Sequence, residues 1–491
     1  MYAAWMGKDA EPKLYTESDV RFLKEHIARL MATVEEQAQR IEELELQVAR
    51  MQRNSSTSSK PPSSDITKPP TPGSGGRGKK KRKPGGQKGH KKHERELFKP
   101  DEVDDHWQYT LDEEDGLEPI SEDDPDEDAW RVVQQIEWTG RALRIVEHRA
   151  RRYRCVYTNR IVVAPLPEGV RRGELLSPGA IGLAAYLKGA CHLSYGNIRH
   201  FFREVMGIEL CVGLLAKAVA KAAQALAQPY QEVLDALPTE PVLGIDETGH
   251  RHKGQRCWTW CLQAPATDEE RGFTCFVIDA SRGSGVVKEL LGEDYAGVIV
   301  CDYFSAYRKC LQDMEHVEMQ FCWSHLIRDL KFLLTLPALI AQKYGERVLE
   351  VVRQMFGLWH RRGELDESYY RRAMRRAKTK LLKAAKSKSN HPEVRKLATR
   401  LTSRYADAYF TFMDYRGVDP TNNRTEQQIR FVVIGRKVTQ GTKAEIGKQW
   451  CQRIWTTLAT CRQRGKQLYR FLVESIEAKL GTRRCYPSLI Y

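Results

Sequence analysis

The stretch Val242-Leu243-Gly244-Ile245-Asp246 decides the fold, because an apolar run with strand character ends there on a carboxylate. A second run of the same kind, Val298-Ile299-Val300-Cys301-Asp302, also ends on an aspartate. A third carboxylate, Glu426, lies in residues 421–430, where the pattern is helical. Charged groups at the ends of buried strands are costly unless they bind something. If the three side chains meet, they form an oxygen-rich site of the kind that Mg²⁺ prefers.

The elements that follow residue 242 have an informative order: three strands, a helix, a strand, a helix and a strand. The predicted strands are residues 242–246, 256–264, 273–279, 297–302 and 317–323, and the predicted helices are residues 284–291 and 304–311. This order is typical of the ribonuclease-H-like α/β sheet, whose first and fourth strands are neighbours. We therefore expect Asp246 and Asp302 to face each other at one sheet edge. Glu426 is then expected on a later helix packed across the sheet.

Composition favours several domains and a polyanionic partner. The chain has 491 residues, of which 41% are hydrophobic, and this is enough for two or more ordinary domains. Its formal net charge of +15 favours DNA or RNA as a partner. The apolar runs are too short to span a bilayer, and residues 1–13 lack the apolar core of a signal peptide. Twelve scattered cysteines with no Cys-x-x-Cys pair favour reduced thiols in a cytosol.

Residues 1–53 are predicted to form a coiled-coil dimerisation helix. Apolar residues recur every seven positions, at the a and d positions of a heptad. β-branched residues at a with leucine at d favour a parallel coiled coil of two helices. The a positions are Val20, Ile27, Val34, Ile41 and Val48, and the d positions are Leu23, Leu30, Gln37, Leu44 and Met51. The alternative is a single amphipathic helix packed on its own domain, which uses a wider apolar face.

Two segments of opposite charge follow. Residues 54–100 are predicted to be a disordered basic linker, with the cluster Lys79, Lys80, Lys81, Arg82 and Lys83 binding phosphate backbones without reading sequence. A solvated linker with no ligand is the alternative. Residues 101–170 combine an acidic segment with a small β module that alternates in strand fashion from residue 130 to residue 165.

Residues 171–240 have a helical pattern with a bend at Gly207, between residues 194–205 and 211–226. This arrangement is typical of a helix-turn-helix unit. The second helix is rich in alanine, valine and leucine and offers few side chains for base edges, so a purely structural packing unit is an equal alternative.

The remaining chain is divided by a basic helical segment. Residues 331–415 are predicted to be a helical insertion between the first part of the catalytic core, residues 241–330, and its second part, residues 416–480. Residues 481–491 form a tail. The positive charge of the insertion is suited to a DNA flank, although exposed helix faces are often basic.

Several motifs in this order resemble the insertion-sequence-66 family of bacterial DDE transposases over most of the chain. The matching stretches, besides the coiled coil, are Ser58-Ser59-Lys60-Pro61-Pro62-Ser63-Ser64-Asp65, Pro84-Gly85-Gly86-Gln87-Lys88-Gly89-His90, Asp246-Glu247-Thr248-Gly249, Cys322-Trp323-Ser324-His325-Leu326, Asn422-Asn423-Arg424-Thr425-Glu426 and Ile434-Gly435-Arg436-Lys437.

The resemblance implies that Asp246, Asp302 and Glu426 are the catalytic triad and hold two Mg²⁺ ions, for which Mn²⁺ can substitute. Relatives usually carry a small zinc module of paired cysteines. Here Cys155 has no partner cysteines nearby, and four ligands are needed for a closed structural site, so we expect no zinc.

Each candidate residue also has a structural interpretation. Asp246 and Asp302 could cap strand ends, and Glu426 could complete a capping box that begins at Asn423. Glu247 is expected on the opposite strand face from Asp246 and is not predicted as a ligand.

Other polar residues near the predicted site have weaker assignments. Cys322 and His325 have the spacing of metal ligands, but two ligands are weak support for zinc, and packing beside the active site is favoured. Arg430, Arg436 and Lys437 are predicted phosphate contacts, with ordinary surface charge as the alternative.

The predicted function is Mg²⁺-dependent cleavage at the ends of a mobile element and strand transfer into target DNA. The alternatives are a catalytically inactive, repressor-like DNA-binding protein and a nuclease that hydrolyses without joining. The resemblance further implies a bacterial, cytoplasmic, nucleoid-associated protein, a homodimer or larger synaptic complex, and small accessory proteins. No membrane partner is expected.

Overall fold

A computed structural model describes residues 16–54, 57, 99, 101, 145–146, 151–154, 157, 161–163, 174–267, 272–415 and 417–491. These described residues belong to two units. One contains residues 200–209 with the few described positions between 72 and 149, and the other contains the rest. The predicted basic cluster 79–83, the acidic segment and Cys155 lie outside the described residues.

Fourteen α-helices and seven strands are present in the described residues, besides four short 3-10 helices. The helices are α1 (Glu17–Met51), α2 (Pro178–Gly189), α3 (Tyr195–Glu204), α4 (Val212–Ala225), α5 (Ala227–Ala236), α6 (Ser284–Leu291), α7 (Ser305–Asp313), α8 (Trp323–Leu333), α9 (Leu339–His360), α10 (Glu367–Ala385), α11 (Pro392–Thr402), α12 (Asn423–Thr439), α13 (Glu445–Arg464) and α14 (Leu468–Leu480). The strands are β1 (Arg152–Arg154), β2 (Ile161–Val163), β3 (Val242–His252), β4 (Gln255–Ala264), β5 (Phe273–Asp279), β6 (Val298–Cys301) and β7 (Glu318–Phe321).

A five-stranded mixed sheet forms the centre of the larger unit. Its order is β5-β4-β3-β6-β7, with β3, β4 and β5 antiparallel and β3, β6 and β7 parallel. The strand predicted at residues 273–279 and the helix predicted at residues 284–291 are confirmed at those bounds. The predicted pairing of the first and fourth strands, β3 and β6, is also confirmed. The separate β1–β2 pair is antiparallel.

One predicted strand is much longer in the structure. The prediction ended the first strand at Asp246, where the apolar run stops, but β3 continues to His252 as a hairpin with β4. The extra residues are mostly half-buried and polar, so hydrophobicity alone did not reveal them. Asp246 therefore lies in the middle of a strand, and β3 is the central strand of the sheet. The expectation that Asp246 and Asp302 meet at a sheet edge is wrong in this respect.

Helix α13 covers the free edge of β5. The backbone N–H groups of Thr274, Phe276 and Ile278 donate to Thr460 Oγ1 (3.2 Å), Thr456 Oγ1 (2.9 Å) and Gln452 Oε1 (2.8 Å). Two residues of a strand span about 6.8 Å, and four residues of a helix span about 6 Å. Successive N–H donors on β5 therefore lie opposite successive acceptors on α13. The edge is thereby closed against further strand pairing.

Helices α9 to α11 lie within residues 331–415, the region predicted to be an insertion. They pack on one another around buried Tyr370, Met374 and Leu381, while the arginines at 371, 372, 375 and 376 on α10 are exposed. The segment is helical and basic, as the sequence predicts.

Near its C-terminal end, helix α1 contacts the rest of the described chain, including α11. Leu46 and Ala49 pack against the core, and the Arg50 guanidinium lies 2.6 Å from a Glu393 carboxylate oxygen. These residues belong to the b, c and f positions of the heptad, so the a/d seam is not used for this attachment. The seam residues from Val20 to Met51 are 42–69% exposed. No side chain of α1 is buried among the described residues, so they do not show the alternative of a helix packed along its own domain.

The helices around Gly207 lie where the sequence predicts them, and Gly207 has a positive φ of 68°. The second of them, α4, buries Leu215, Ala218, Val219 and Ala222 against α2, α13 and α14. Its exposed polar side chains are few, which favours a packing helix over a base-reading helix.

No helix in the described part of the chain is long and apolar enough to cross a bilayer.

The closure of the β5 edge predicts an asymmetric effect of two neighbouring substitutions. Thr456→Val removes the acceptor of the buried Phe276 N–H, and we expect it to lower the free energy of unfolding by about 1–3 kcal/mol. Thr457→Val is the matched control, because this equally buried hydroxyl donates only to the Arg453 carbonyl of its own helix. Urea unfolding of both variants measures the difference. Equal losses would contradict the edge-closure role.

Candidate active site

The register of the central strands brings two aspartates together. β3 and β6 run parallel, with Gly244 opposite Val300. Two residues further on, Asp246 is level with Asp302, which directly follows β6. Both side chains are half-buried.

Helix α12 crosses the sheet at Gly244. A Cβ atom at this position would lie 2.2 Å from Thr425 Oγ1 and 2.9 Å from Asn422 Oδ1, so only glycine allows the helix to approach this closely. The Asn422 side-chain amide donates to the Ile245 carbonyl at 2.8 Å. The first turn of α12, which carries Glu426, is thereby fixed beside Asp246.

Asp246 lies among other negative charges. Burial raises its pKa well above the usual range, and the negative charges of Glu247, Asp302 and Glu426 raise it further. The Glu247 N–H donates to Asp246 Oδ1 at 2.9 Å and opposes this shift. The charges of Asp302 and Glu426 therefore lie near enough to act on the Asp246 carboxyl group.

Asp302 accepts a hydrogen bond from the backbone of its own turn, and the charges of two arginines act on it. Burial raises its pKa, whereas the Phe304 N–H, which donates to Oδ1 at 2.8 Å, lowers it. The positive charges of Arg282 and Arg400 also lower the pKa. Arg400 is itself buried, stacked 4.2 Å from the Tyr303 ring centre and hydrogen-bonded to Asp329 at 3.1 Å.

Glu426 faces the start of α8. Its Oε1 lies 3.7 Å from His325 Nδ1, and its Oε2 lies 3.5 Å from Arg328 Nη2. The capping-box interpretation of Glu426 is wrong, because α12 begins after Asn422 and has no side-chain cap. The carboxylate therefore points into the site and does not serve the helix end.

Cys322 and His325 are brought next to Glu426, as the favoured interpretation of packing beside the site predicts. Cys322 is buried, and burial raises the pKa of its thiol to about 11. Burial and the nearby Arg328 and Arg400 charges lower the pKa of His325 to about 4, so the imidazole is neutral at pH 7.

Comparison with protein families decides what kind of protein this is. The model of the Transposase IS66 family matches residues 173–449, more than half of the chain. The chain belongs to the IS66 transposase family. It is therefore a DNA transposase, and its substrate is DNA. Residues 10–96 match a family of unknown function, DUF6444, and a search of curated proteins finds no similar sequence.

All three candidate carboxylates lie within the part of the chain that the transposase family matches.

Glu247, between Asp246 and Thr248, lies on the opposite strand face. Arg282 approaches its Oε1 at 2.7 Å, and the Tyr307 hydroxyl donates to its Oε2 at 2.5 Å. Both carboxylate oxygens of Glu247 are therefore engaged by other side chains.

The three predicted phosphate contacts on α12 differ in exposure. Arg436 donates to Thr248 Oγ1 at 3.1 Å and to the Gly249 carbonyl, so its guanidinium is committed to β3. Arg430 and Lys437 are exposed. The structure thus leaves two of the three cations of the transposase available to a ligand.

Sequence reasoning missed the arginines around the carboxylates. Arg328 could have been found, because it follows His325 by one helical turn in the motif that begins at Cys322. Arg282 and Arg400 carry no such signal. They reach Asp302 from a loop before α6 and from α11, and only the fold brings them there.

The raised pKa of Asp246 predicts a pH-dependent gain in stability from Asp246→Asn in metal-free protein. A carboxyl whose folded pKa exceeds its unfolded pKa loses stability as pH rises toward the folded value, about 1.4 kcal/mol per unit of difference. We expect the variant to be more stable than the parent, with a larger difference at pH 8 than at pH 5. Unfolding in EDTA at both pH values measures this.

The exposed Glu289→Gln on α6 is the control for the loss of one negative charge. An Asp246→Asn protein no more stable than its parent at pH 8 would contradict the raised pKa of the Asp246 carboxyl.

Proposed function

We propose that this transposase cleaves DNA at the ends of its element and joins them to target DNA with a ribonuclease-H-like core whose triad is Asp246, Asp302 and Glu426. The mixed sheet order, with one parallel and one antiparallel neighbour of β3, supports this assignment of the core. The main support for the triad is geometric: the register of β3 and β6 sets Asp246 level with Asp302, and the contact of α12 with Gly244 and Ile245 brings Glu426 beside Asp246.

The donor set fits a hard divalent cation, for which Mg²⁺ is the proposed ion and Mn²⁺ a substitute. The three side chains offer oxygen atoms, and their negative charges are partly buried. A cation would relieve the repulsion that raises the pKa of Asp246. When bound, two such ions activate the attacking oxygen and stabilise the leaving oxygen in an in-line displacement at phosphorus.

The residues of the chain orient the reaction. In cleavage, a water oxygen forms a bond to phosphorus and the bond to the 3′ oxygen breaks. In joining, the freed 3′-hydroxyl attacks a target phosphorus and displaces the target strand's own 3′ oxygen. The hydrogen bonds to Asp246 Oδ1 and Asp302 Oδ1 hold these carboxylates in place throughout.

We propose that DNA lies along the exposed cations near this site. Arg430 and Lys437 on α12 and the exposed arginines of α10 are suited to phosphate oxygens. The basic cluster 79–83 would add sequence-independent affinity. A DNA substrate also favours a location at the bacterial nucleoid. Small accessory proteins are further proposed partners of the chain.

The α1 seam is proposed to pair with a second copy of the chain. Its apolar a and d residues from Val20 to Val48 are exposed, and the helix contacts the described chain through other heptad positions, so this part of the seam is suited to a partner helix. A paired transposase would hold two element ends together.

The triad predicts that Asp302→Asn separates catalysis from binding. We expect Mg²⁺-dependent cleavage and strand transfer to fall by at least about 10²–10³-fold, because the variant loses a charged oxygen ligand. Binding of labelled element ends should remain, since DNA contacts come from the basic surfaces. Gel assays of cleaved, joined and bound DNA make the measurement.

Asp313→Asn is the matched control, because this α7 aspartate pairs with Lys288 at 3.5 Å on another face. Retained cleavage by the Asp302→Asn protein would refute the triad. Cleavage without joined product in the parent would instead favour the nuclease alternative, and binding without cleavage would favour a repressor.

The exposed seam predicts a change in mass on substitution. We expect Ile27→Lys with Leu30→Lys to convert a dimer or larger assembly to a monomer, because two charges per helix cannot be buried in the seam. Gln39→Lys, at the exposed f position, is the control. Light scattering after size-exclusion chromatography gives the masses. A monomeric parent, or an unchanged mass in the double variant, would refute pairing through α1.

A further inference from the structure

A second set of potential ligands lies beside the carboxylates. Cys322, His325 and Glu426 each present one ligand atom, and these atoms lie within 4.8 Å of one another. Among the described residues, no other set of three histidine, cysteine or acidic side chains is this tight, including the proposed triad.

The fold assembles this set from two helices. Cys322 precedes the first residue of α8, and His325 follows one turn later, so both lie at the same end of the helix. Glu426 comes from the first turn of α12. The Asn422 N–H, which donates to Cys322 Sγ at 3.2 Å, connects the two helix starts directly.

Two atoms of the set are buried and lack hydrogen-bond partners among the described residues: His325 Nδ1 and Glu426 Oε1. They face each other at 3.7 Å, and their side chains are only 14% and 18% exposed. Buried polar atoms are normally satisfied. Two ligands that are each about 2.0–2.1 Å from a tetrahedral ion lie about 3.4 Å apart, close to the observed spacing.

The sulfur is also arranged as a ligand. Cys322 Sγ receives backbone N–H groups from Asn422, Ser324 and His325, and such donors stabilise a thiolate. Glu426 can bind through Oε1 while Oε2 stays with Arg328.

We propose that Cys322, His325 and Glu426 form a site for one Zn²⁺-class transition cation, separate from the hard site of the aspartates. Sulfur, imidazole and carboxylate together suit a borderline-soft ion, and three protein ligands leave one position open. The sequence expectation of no zinc rested on Cys155, and at Cys322 and His325 on the presence of only two ligands. The fold supplies the third.

Occupancy of this site has a consequence that rests on the proposed function. Because Glu426 belongs to both ligand sets, a zinc ion here takes an oxygen from the Mg²⁺ site. Zinc should therefore inhibit Mg²⁺-dependent cleavage, and Cys322→Ser should weaken that inhibition.

Cobalt titration of the full chain tests the site without any activity measurement. We expect one Co²⁺ per chain, with a thiolate charge-transfer band in the near ultraviolet and intense visible bands of a four-coordinate ion. Cys322→Ser should abolish the near-ultraviolet band and weaken cobalt binding by at least about 100-fold. This loss exceeds the one expected when a residue that only hydrogen-bonds to a metal ligand is removed. His325→Ala should weaken binding similarly.

Cys461→Ala is the matched control, because this thiol is equally buried but lies on α13. Unchanged binding by Cys322→Ser, or no thiolate band in the parent, would overturn the site. Should the serine variant fail to fold, Zn²⁺ protection of Cys322 from alkylation in the parent decides, and equal labelling with and without zinc overturns the proposal. Asp302→Asn should still bind cobalt, so failure of the catalytic triad and failure of this site are distinguishable.

Discussion

The close approach of α12 to β3 is the contact on which the rest of the site depends. Gly244 has no side chain to separate the helix from the strand, and Asn422 ties the helix start to the Ile245 carbonyl. Without this contact Glu426 would have no fixed relation to Asp246. The backbone N–H of the same asparagine donates to Cys322 Sγ, so one short segment aligns both proposed ligand sets.

The site concentrates negative charge at a cost to the metal-free protein. Burial and mutual repulsion act against the ionised form of Asp246, and burial does so at Asp302. The protein offsets part of this with cations held in fixed positions. Arg282 is stacked over the Phe304 ring at 4.0 Å, and Arg400 is buried against Tyr303. Such a centre is prepared for cations and phosphate and is less stable without them.

The segment just after the N-terminal helix is linked to this centre through α8. Arg53 stacks on Phe332 at 3.6 Å and lies 3.7 Å from Asp329, which also receives Arg400. Two ion pairs, Arg53–Asp329 and Asp329–Arg400, therefore connect the end of α1 to an arginine whose charge acts on Asp302. Because α1 is anchored by its outer heptad positions, a partner helix could occupy the seam without disturbing these contacts.

The sequence alone determined the local features: the period of α1, the strands and helices of the core, and the aspartates at 246 and 302, because these depend on hydrophobic spacing along a short segment. It also predicted that Glu426 would arrive on a later helix. Only the tertiary structure decided that β3 runs past Asp246, that threonines of α13 close the β5 edge, and that Arg400 faces Asp302. These features join residues up to about two hundred positions apart, and no local pattern encodes which polar side chains will meet. Cys322 and His325 illustrate the limit, since two ligands become three only when α12 reaches α8.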